Sequence, residues 1–363
     1  MLTFVKSPYM TWAKTAGQGC THFLSRSGIQ PPPAEWLCQL DVEAALHFTE
    51  IYGDSILREQ LANRYGMRPS QVLTSFGASE GNFLMLAALV EAGMQVALET
   101  PRYELLKSTL EALGVSPVPL VRSADEGYQL QPERVLELLA QGVRGFVVTD
   151  LHNPTGVATP LSVYEALAEP LERAGAWMLV DEIYLDFMLE QRRPTAACIS
   201  PAYCVTSSLT KVYGLSSLRC GWGFGPESVI ERAYDVRDHV GVVASGPAVL
   251  LARAALGELD RLLAWSAWRA ASGRAVMETF MTRSRHLSWV KPDAGIVGLV
   301  RLPSGLSGIQ VSEYLADQHH VLVTPGEFFD APGTLRVGFG GDPEPLEHAL
   351  THLERALDEL TQR

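Results

Sequence analysis

SSLTKVYGLSSLR, residues 207–219, is the stretch of sequence that decides the fold. It contains Lys211, one of only five lysines against twenty-four arginines, and it follows the strand-like run 202–206. An amine that attacks a carbonyl has to be partly deprotonated, which requires desolvation or neighbouring cations. The small and hydroxylated neighbours of Lys211 leave room for a cofactor, and Arg219 can bind a phosphate with its fork of donors. A single lysine is more often a solvated surface residue, so the interpretation depends on what the rest of the chain places around it.

Short apolar runs alternate with helical stretches on both sides of Lys211. The runs predicted as strands are 71–75, 96–99, 116–120, 145–149, 177–180, 203–206 and 220–224. Helices are predicted between them, for example over residues 79–92 and 161–174. Strands of this kind, alternating with helices, are typical of a mostly parallel sheet that is covered by helices on both faces.

The character of the sequence changes after Gly225. Residues 226–282 contain few helix breakers and leave room for a long helix linking two domains. The C-terminal part predicts a smaller α+β unit, with strands at 295–300, 321–323 and 334–338 and a final helix from Pro343. We therefore predict an N-terminal arm with part of the small domain at 1–44, a large domain at 45–250, and an interdomain helix with the C-terminal small domain at 251–363. The arm is expected to be irregular up to the triple proline at 31–33.

Composition excludes several classes of protein. With 363 residues, 47% of them hydrophobic and 19% charged, the chain has the make-up of an ordinary soluble globular enzyme. A net charge of −12 argues against nucleic-acid binding. The five cysteines are scattered and form no Cys-x-x-Cys pair, so neither a metal site nor a disulfide framework is expected. There is no signal-peptide pattern and no long apolar stretch, so we expect a cytoplasmic protein without a membrane partner.

Chemically useful residues follow several predicted strands, which is where ligands bind in α/β sheets. Residues 76–82 open a helix and leave free backbone N–H groups that suit an anion, although a plain tight turn is the commoner reason for such a sequence. Tyr103 follows the strand at 96–99 and offers a ring that can stack on a planar cofactor. A tyrosine at such a position is, taken alone, more often a packing residue.

Three further segments carry polar side chains at the ends of, or within, apolar strands. Asn153 precedes a proline, which holds its backbone extended, so its amide can donate into a cleft or simply belong to an Asn-Pro turn. Asp181 ends a very apolar strand and needs a partner such as a protonated ring nitrogen, unless it caps the next turn, and Tyr184 can reach the same pocket. Arg336 lies within a strand and has to find an anion, either a ligand carboxylate or an internal acidic residue. His152 is expected to be structural rather than a catalytic base.

In their order along the chain, these segments resemble the class I/II aminotransferases, which are pyridoxal-5′-phosphate (PLP) enzymes of fold type I. The resemblance covers roughly residues 45–345. It rests on Asn153-Pro154-Thr155-Gly156, Asp181-Glu182-Ile183-Tyr184, Ser208-Leu209-Thr210-Lys211 with Arg219, and Arg336. It implies an aspartate-aminotransferase-like α/β fold, with a large domain built on a mostly parallel seven-stranded sheet flanked by helices and a smaller α+β domain.

The resemblance also implies a role for each residue. Lys211 would form the internal aldimine with PLP and then carry protons during catalysis. Asp181 would pair with the pyridinium nitrogen, Tyr184 and Asn153 would hydrogen-bond the phenolic oxygen, and Tyr103 would stack on the ring. The residues that would hold the phosphate are Gly77, Ala78, Ser79, Ser208 and Arg219.

The resemblance also implies which residues contact the substrate and a neighbouring subunit. Arg336 would clamp the substrate α-carboxylate beside Asn153, with Ser27 and Gly28 at the entrance. The N-terminal arm is expected to lack the longer segment that often covers the substrate in this family. Tyr52 resembles the tyrosine that reaches the phosphate of a neighbouring subunit, which implies a homodimer with sites at the subunit interface.

The residues do not determine which bond of the amino acid is broken. Transamination, in which the amino group of an L-amino acid passes to a 2-oxo acid, is the commonest outcome in the family and is the predicted function. A lyase catalysing β-elimination and a capreomycidine-synthase-like cyclase are the alternatives. A PLP-binding regulator is disfavoured, because only about 40 residues precede the fold and they contain no basic cluster.

Overall fold

Strands and helices alternate along most of the chain. The structure is a computed structural model that describes residues 4–37, 41–188 and 193–362. Its strands are β1 (His22–Phe23), β2 (Val72–Ser75), β3 (Val96–Thr100), β4 (Val118–Val121), β5 (Gly145–Thr149), β6 (Trp177–Asp181), β7 (Tyr203–Ser208), β8 (Gly221–Phe224), β9 (Ser288–Trp289), β10 (Val297–Arg301), β11 (Val321–Leu322), β12 (Thr324–Pro325) and β13 (Thr334–Gly338). Its α-helices are α1 (Pro8–Thr15), α2 (Val42–Leu46), α3 (Ser55–Tyr65), α4 (Ala78–Leu89), α5 (Glu104–Ala112), α6 (Pro132–Ala140), α7 (Leu161–Arg173), α8 (Glu227–Asp238), α9 (Gly246–Gly257), α10 (Leu259–Arg283), α11 (Gly308–His319) and α12 (Pro343–Thr361).

Seven strands form one sheet in the order β2-β8-β7-β6-β5-β3-β4. Strand β8 runs antiparallel to both of its neighbours, and all other neighbouring pairs are parallel. The predicted seven-stranded, mostly parallel sheet is confirmed. Its inner strands are apolar on both faces because helices cover both sides, and side chains such as Val147 and Leu179 are fully buried. Burying one such side chain stabilises the fold by about 1.5–3 kcal/mol.

The carboxyl ends of β5, β6 and β7 lie side by side in the middle of this sheet. In the parallel register Thr149 pairs with Asp181, and Asp181 pairs with Thr206. Because parallel strands end at the same edge of a sheet, the segments that follow them meet there. These segments carry Asn153 and Lys211, so the register brings the predicted site residues together.

The C-terminal part forms a second sheet, with the antiparallel order β12-β13-β10-β9. The 25-residue helix α10 leads into this part and packs against α12. Strand β1, from the N-terminal arm, pairs in parallel with β11, which ties the arm to the C-terminal residues. The domain boundaries at 44 and 250 stay predictions.

The expectation of an irregular N-terminal arm is wrong for residues 8–15, which form α1. The Ser7 hydroxyl accepts a hydrogen bond from the Met10 backbone N–H, and Pro8 occupies the first turn. A serine cap followed by proline is a helix-start signal, so the sequence did contain the information. Tyr9 and Trp12 of α1 line the cavity that contains Lys211. The lack of a longer segment over the substrate stays a prediction.

Disulfide bonds, metal-binding clusters and membrane-spanning helices are absent from the part of the chain that the structure describes. Cys20, Cys198, Cys204 and Cys220 are free thiols, and Cys38 lies outside the described ranges. Within those ranges, no group of three or more histidine, cysteine or acidic side chains is arranged to hold a metal ion. No helix there combines the length and the apolar composition needed to cross a bilayer.

Candidate active site

Lys211 lies in the irregular segment after β7 and lines a cavity of about 500 Å³. Its amine donates a hydrogen bond to the Ser27 hydroxyl at 2.8 Å. Burial, together with charge repulsion from Arg336 and Arg219, lowers the pKa of Lys211 to about 8, whereas the charge of Asp181 acts in the opposite direction. An amine with this pKa is partly neutral near neutral pH, as nucleophilic attack and proton abstraction require.

Asp181 ends β6 as a buried carboxylate. Its Oδ2 accepts a hydrogen bond from the Asn82 side chain at 2.7 Å, and its Oδ1 accepts one from the Ile183 backbone N–H at 3.1 Å. Burial raises the pKa of Asp181 to about 6, although these two hydrogen bonds and the charge of Lys211 favour the ionised form. The sequence did not point to Asn82 as a partner, because the two residues lie 99 positions apart.

Tyr184 and Lys211 meet at the same residue of the N-terminal arm. The Tyr184 hydroxyl donates to the backbone carbonyl of Ser27 at 2.8 Å, and Lys211 binds the Ser27 side chain. Burial raises the pKa of Tyr184 to about 12, so its hydroxyl stays protonated and can donate. Gly28 also lies beside Lys211, since a Cβ added to it would be 3.5 Å from the lysine Cδ.

Arg336 is buried in β13, an inner strand of the second sheet, and contacts four neutral acceptors. It donates to the hydroxyl of Tyr9 at 3.1 Å, the carbonyl of Ser25 at 3.2 Å, the hydroxyl of Thr324 at 3.4 Å and the amide oxygen of Asn153 at 3.5 Å. Its Nε has no hydrogen-bond partner. A buried guanidinium held only by neutral groups is suited to binding an anion from outside the chain.

A hydrogen-bond network positions Asn153. Its backbone N–H donates to the Thr149 hydroxyl at 2.8 Å, and the Glu99 carboxylate accepts from the Thr149 backbone N–H at 2.7 Å. The neighbouring His152 is fully buried and binds the Pro101 carbonyl at 2.8 Å. Burial lowers the pKa of His152 well below its usual value, so this histidine is neutral and supports the loop, in line with the structural role expected for it.

Gly77, Ala78 and Ser79 form the start of helix α4. The Arg219 guanidinium lies next to them and donates to the Phe76 carbonyl at 3.0 Å. A Cβ added to Gly77 would be only 2.8 Å from Arg219 Nη2. A helix N-terminus with an adjacent guanidinium attracts an anion through both free N–H groups and charge.

Ser208 is the remaining residue expected to bind the phosphate. It ends β7 and donates to the Thr210 hydroxyl at 2.7 Å. Tyr103 lies just before α5, lines the cavity and packs edge-on against Tyr9 with ring centroids 6.0 Å apart. Tyr52 is not among the cavity residues. It is 51% exposed, and its ring packs against Tyr234 at 5.9 Å.

The candidate residues fit PLP, and Asp181, Gly77 and Arg219 are not among those that line the cavity of about 500 Å³. The buried Asp181 carboxylate is hydrogen-bonded by two neutral donors, and a protonated ring nitrogen would supply a cationic partner. The Gly77–Arg219 contact makes a cationic cradle that a side chain at position 77 would fill, which suits a phosphate. Lys211 provides an amine with a lowered pKa for a carbonyl carbon.

Comparisons with known proteins identify the family of the chain. Residues 30–353 match the family model described as aminotransferase class I and II. The chain is 26% identical over 332 residues to the arginine–pyruvate transaminase of Pseudomonas aeruginosa, covering 86% of this chain and 83% of that protein. It is 28% identical over 309 residues to capreomycidine synthase of Streptomyces vinaceus, covering 84% and 79% of the two chains.

The fold is shared with solved structures. A PLP-dependent aminotransferase from Streptococcus suis superposes with a TM-score of 0.90 over 98% of both chains, at 22% sequence identity. This likeness establishes the fold-type-I architecture. Because the family model extends over most of the sequence, the chain belongs to the aminotransferase class I and II family, whose members are PLP-dependent enzymes.

Proposed function

We propose that this aminotransferase moves the amino group of an L-amino acid to a 2-oxo acid, with Lys211 as the residue that bonds PLP and carries the proton. The observation that supports this most strongly is the arrangement around the Lys211 amine, whose pKa responds to Arg336, Arg219 and Asp181 together. When bound, PLP supplies an electron sink that stabilises negative charge at the substrate Cα. The protein residues then decide where protons and charges are held.

Lys211 serves as the proton carrier. With a pKa of about 8, its Nζ can take a proton from the substrate Cα and return it to a neighbouring carbon, because both forms of the amine are populated near neutral pH. Asp181 keeps a ring nitrogen protonated by offering a buried negative charge next to it. Asn82 and Ile183 orient that carboxylate through the two hydrogen bonds they donate.

Arg336 binds the α-carboxylate of the substrate. Its neutral neighbours hold the guanidinium in place without neutralising its charge, and its Nε has no partner, so an anion can bind by replacing some of these contacts. Asn153 lies beside it, and Tyr184 and Asn153 together present polar groups to a phenolic oxygen. Tyr9, from α1, covers the arginine and keeps water away from the reacting groups.

Gly77–Ser79 at the start of α4, with Ser208 and Arg219, would hold the phosphate of the cofactor. In the same proposal the enzyme is a cytoplasmic homodimer, and Tyr52 reaches the phosphate of the neighbouring subunit. Tyr52 is 51% exposed, which leaves its side chain accessible to a neighbouring subunit and supports this assignment. The large domain then corresponds to residues 45–250, and the small domain to 251–363 with the 1–44 arm.

Replacing Lys211 with alanine tests the central assignment. Lys211→Ala should remove the visible absorbance of the lysine-bound cofactor and abolish turnover, because the cofactor bond and the proton transfer are both assigned to the Lys211 amine. Lys107→Ala is the matched control, since Lys107 is a helix-surface lysine paired with Glu111 at 3.7 Å. Undiminished activity in Lys211→Ala, or equal losses in both variants, would contradict the proposal.

A product screen separates transamination from its alternatives. Wild-type enzyme is given a panel of amino acids together with a panel of 2-oxo acids. Transamination converts one donor into its oxo acid and one acceptor into a new amino acid in equal amounts, without free ammonia. Release of ammonia without an acceptor would indicate β-elimination, and a cyclic amino acid that keeps its nitrogen would indicate a cyclase.

A further inference from the structure

We propose that Ser27 is a positioning residue that holds the Lys211 amine whenever this amine is not bonded to the cofactor. The inference rests on the proposed function, because Ser27 acts only through Lys211. It extends that function to the N-terminal arm, which lies 184 positions away from the lysine in the sequence.

One residue of the arm contacts two residues of the candidate site. The Ser27 hydroxyl accepts a hydrogen bond from Lys211 Nζ at 2.8 Å. Its backbone carbonyl accepts a hydrogen bond from the Tyr184 hydroxyl, also at 2.8 Å. Both distances are in the normal range for strong hydrogen bonds, so Ser27 links the lysine and the tyrosine through separate atoms.

The backbone on both sides of Ser27 is anchored. On one side, Leu24 bonds through its N–H to the Leu322 carbonyl at 2.8 Å and through its carbonyl to the Gly338 N–H at 2.6 Å. On the other side, the Ile29 N–H donates to the Lys211 carbonyl at 3.2 Å. Ser27 is therefore held at the lysine by the fold and does not depend on its own side chain to stay there.

A hydroxyl is chemically suited to this position. Arg336 and Arg219 disfavour the charged form of the Lys211 amine, and Asp181 favours it. A serine hydroxyl can accept from an ammonium group and can also donate to a neutral amine. It therefore holds the amine in both protonation states, whereas a carboxylate at the same place would trap the proton. Hydrogen bonds to charged groups are the stronger ones, so Ser27 favours the protonated form.

The test compares Ser27→Ala with Ser27→Thr, which keeps the hydroxyl, and with Thr21→Ala, an exposed position on the same arm. The full chain, freed of PLP, is treated at a series of pH values with a small amine-reactive reagent, and labelling of Lys211 is measured by peptide mass spectrometry. In the wild type, labelling should rise with a midpoint at about pH 8. Loss of the charge-assisted hydrogen bond should move the midpoint of Ser27→Ala to lower pH, with about tenfold more labelling below it.

The loaded enzyme provides a second readout. The acid limb of its kcat–pH profile should shift in the same direction in Ser27→Ala, with KM nearly unchanged, while Ser27→Thr and Thr21→Ala keep the wild-type profile. Coincident labelling curves for Ser27→Ala and wild type would overturn the inference. It would also be overturned if the curve of Thr21→Ala shifted, or if Ser27→Thr did not keep the wild-type curve. These results leave the Lys211→Ala test of the proposed function untouched, so the two ideas fail independently.

Discussion

Replacing Arg336 with glutamine should raise KM for the amino-acid substrate by about 30-fold to about 4,000-fold, with a smaller effect on kcat. Glutamine keeps a polar side chain of moderate length but removes the positive charge and the planar fork that binds a carboxylate with two parallel hydrogen bonds. The substitution acts mainly on substrate binding, because Arg336 is proposed to contact the α-carboxylate and not the bonds that change.

The magnitude follows from the surroundings of Arg336. The side chain is 1% exposed, and its four hydrogen-bond acceptors are all neutral. None of the ion pairs found within the described ranges includes Arg336. A bound carboxylate would therefore be its main counter-charge, and truncating one partner of a buried, hydrogen-bonded charge pair costs about 2–5 kcal/mol. At about 1.4 kcal/mol for each factor of ten, this range gives the change in KM stated above.

The assay is steady-state kinetics with a donor and acceptor pair found in the product screen. Arg301→Gln is the matched control, because Arg301 ends the neighbouring strand β10 and is exposed. A donor without an α-carboxylate provides an internal control, since Arg336→Gln should slow its half-reaction far less. Melting temperatures show whether each variant is folded.

Two results would refute the reasoning. One is a KM within about threefold of the wild type in a folded Arg336→Gln variant, because the predicted loss is at least tenfold larger. The other is an equal loss for donors with and without the carboxylate. Either result would mean that the buried guanidinium is a structural residue held by its neutral acceptors.

Two further substitutions test the cofactor pocket. Asp181→Asn should weaken PLP binding by about 30-fold or more, because it removes the buried charge that would face the ring nitrogen. It should also lower the pKa of the Lys211 amine, since the charge of Asp181 raises that pKa. Unchanged PLP affinity in an equilibrium titration would contradict this role. Gly77→Ala should weaken PLP binding by about tenfold or more. Gly77 has φ +78° and ψ 170°, a conformation that costs other residues about 1–3 kcal/mol. In addition, the added Cβ would be 2.8 Å from Arg219 Nη2. Gly66→Ala is the matched control, since Gly66 has φ +70° with open space around it, so it should lower the melting temperature without changing PLP affinity.

The chemistry of the sheet edge could be predicted from the sequence. Buried parallel strands require continuous apolar runs, and the polar residues that end them are forced to one edge of the sheet. The positions of Asp181, Asn153 and Lys211 followed from that rule, and the structure places Asp181 at the end of β6 and the other two in the segments that follow the adjacent strands β5 and β7. The Arg336 strand, 334–338, was predicted with the bounds that the structure has. The helix at residues 8–15 was missed although its Ser-Pro start was visible.

The sequence by itself determined that a mostly parallel sheet forms, which polar residues follow its strands, and the family. These depend on local apolar periodicity and on motifs read along the chain. Only the tertiary structure decided that Asn82 supports Asp181, that Tyr9 contacts Arg336 and that Ser27 binds Lys211. Each of these pairs is separated by 99 positions or more. A hydrogen bond between such distant residues leaves no periodic trace in the sequence, since it forms only after the sheet register and the docking of the arm have brought the two side chains together.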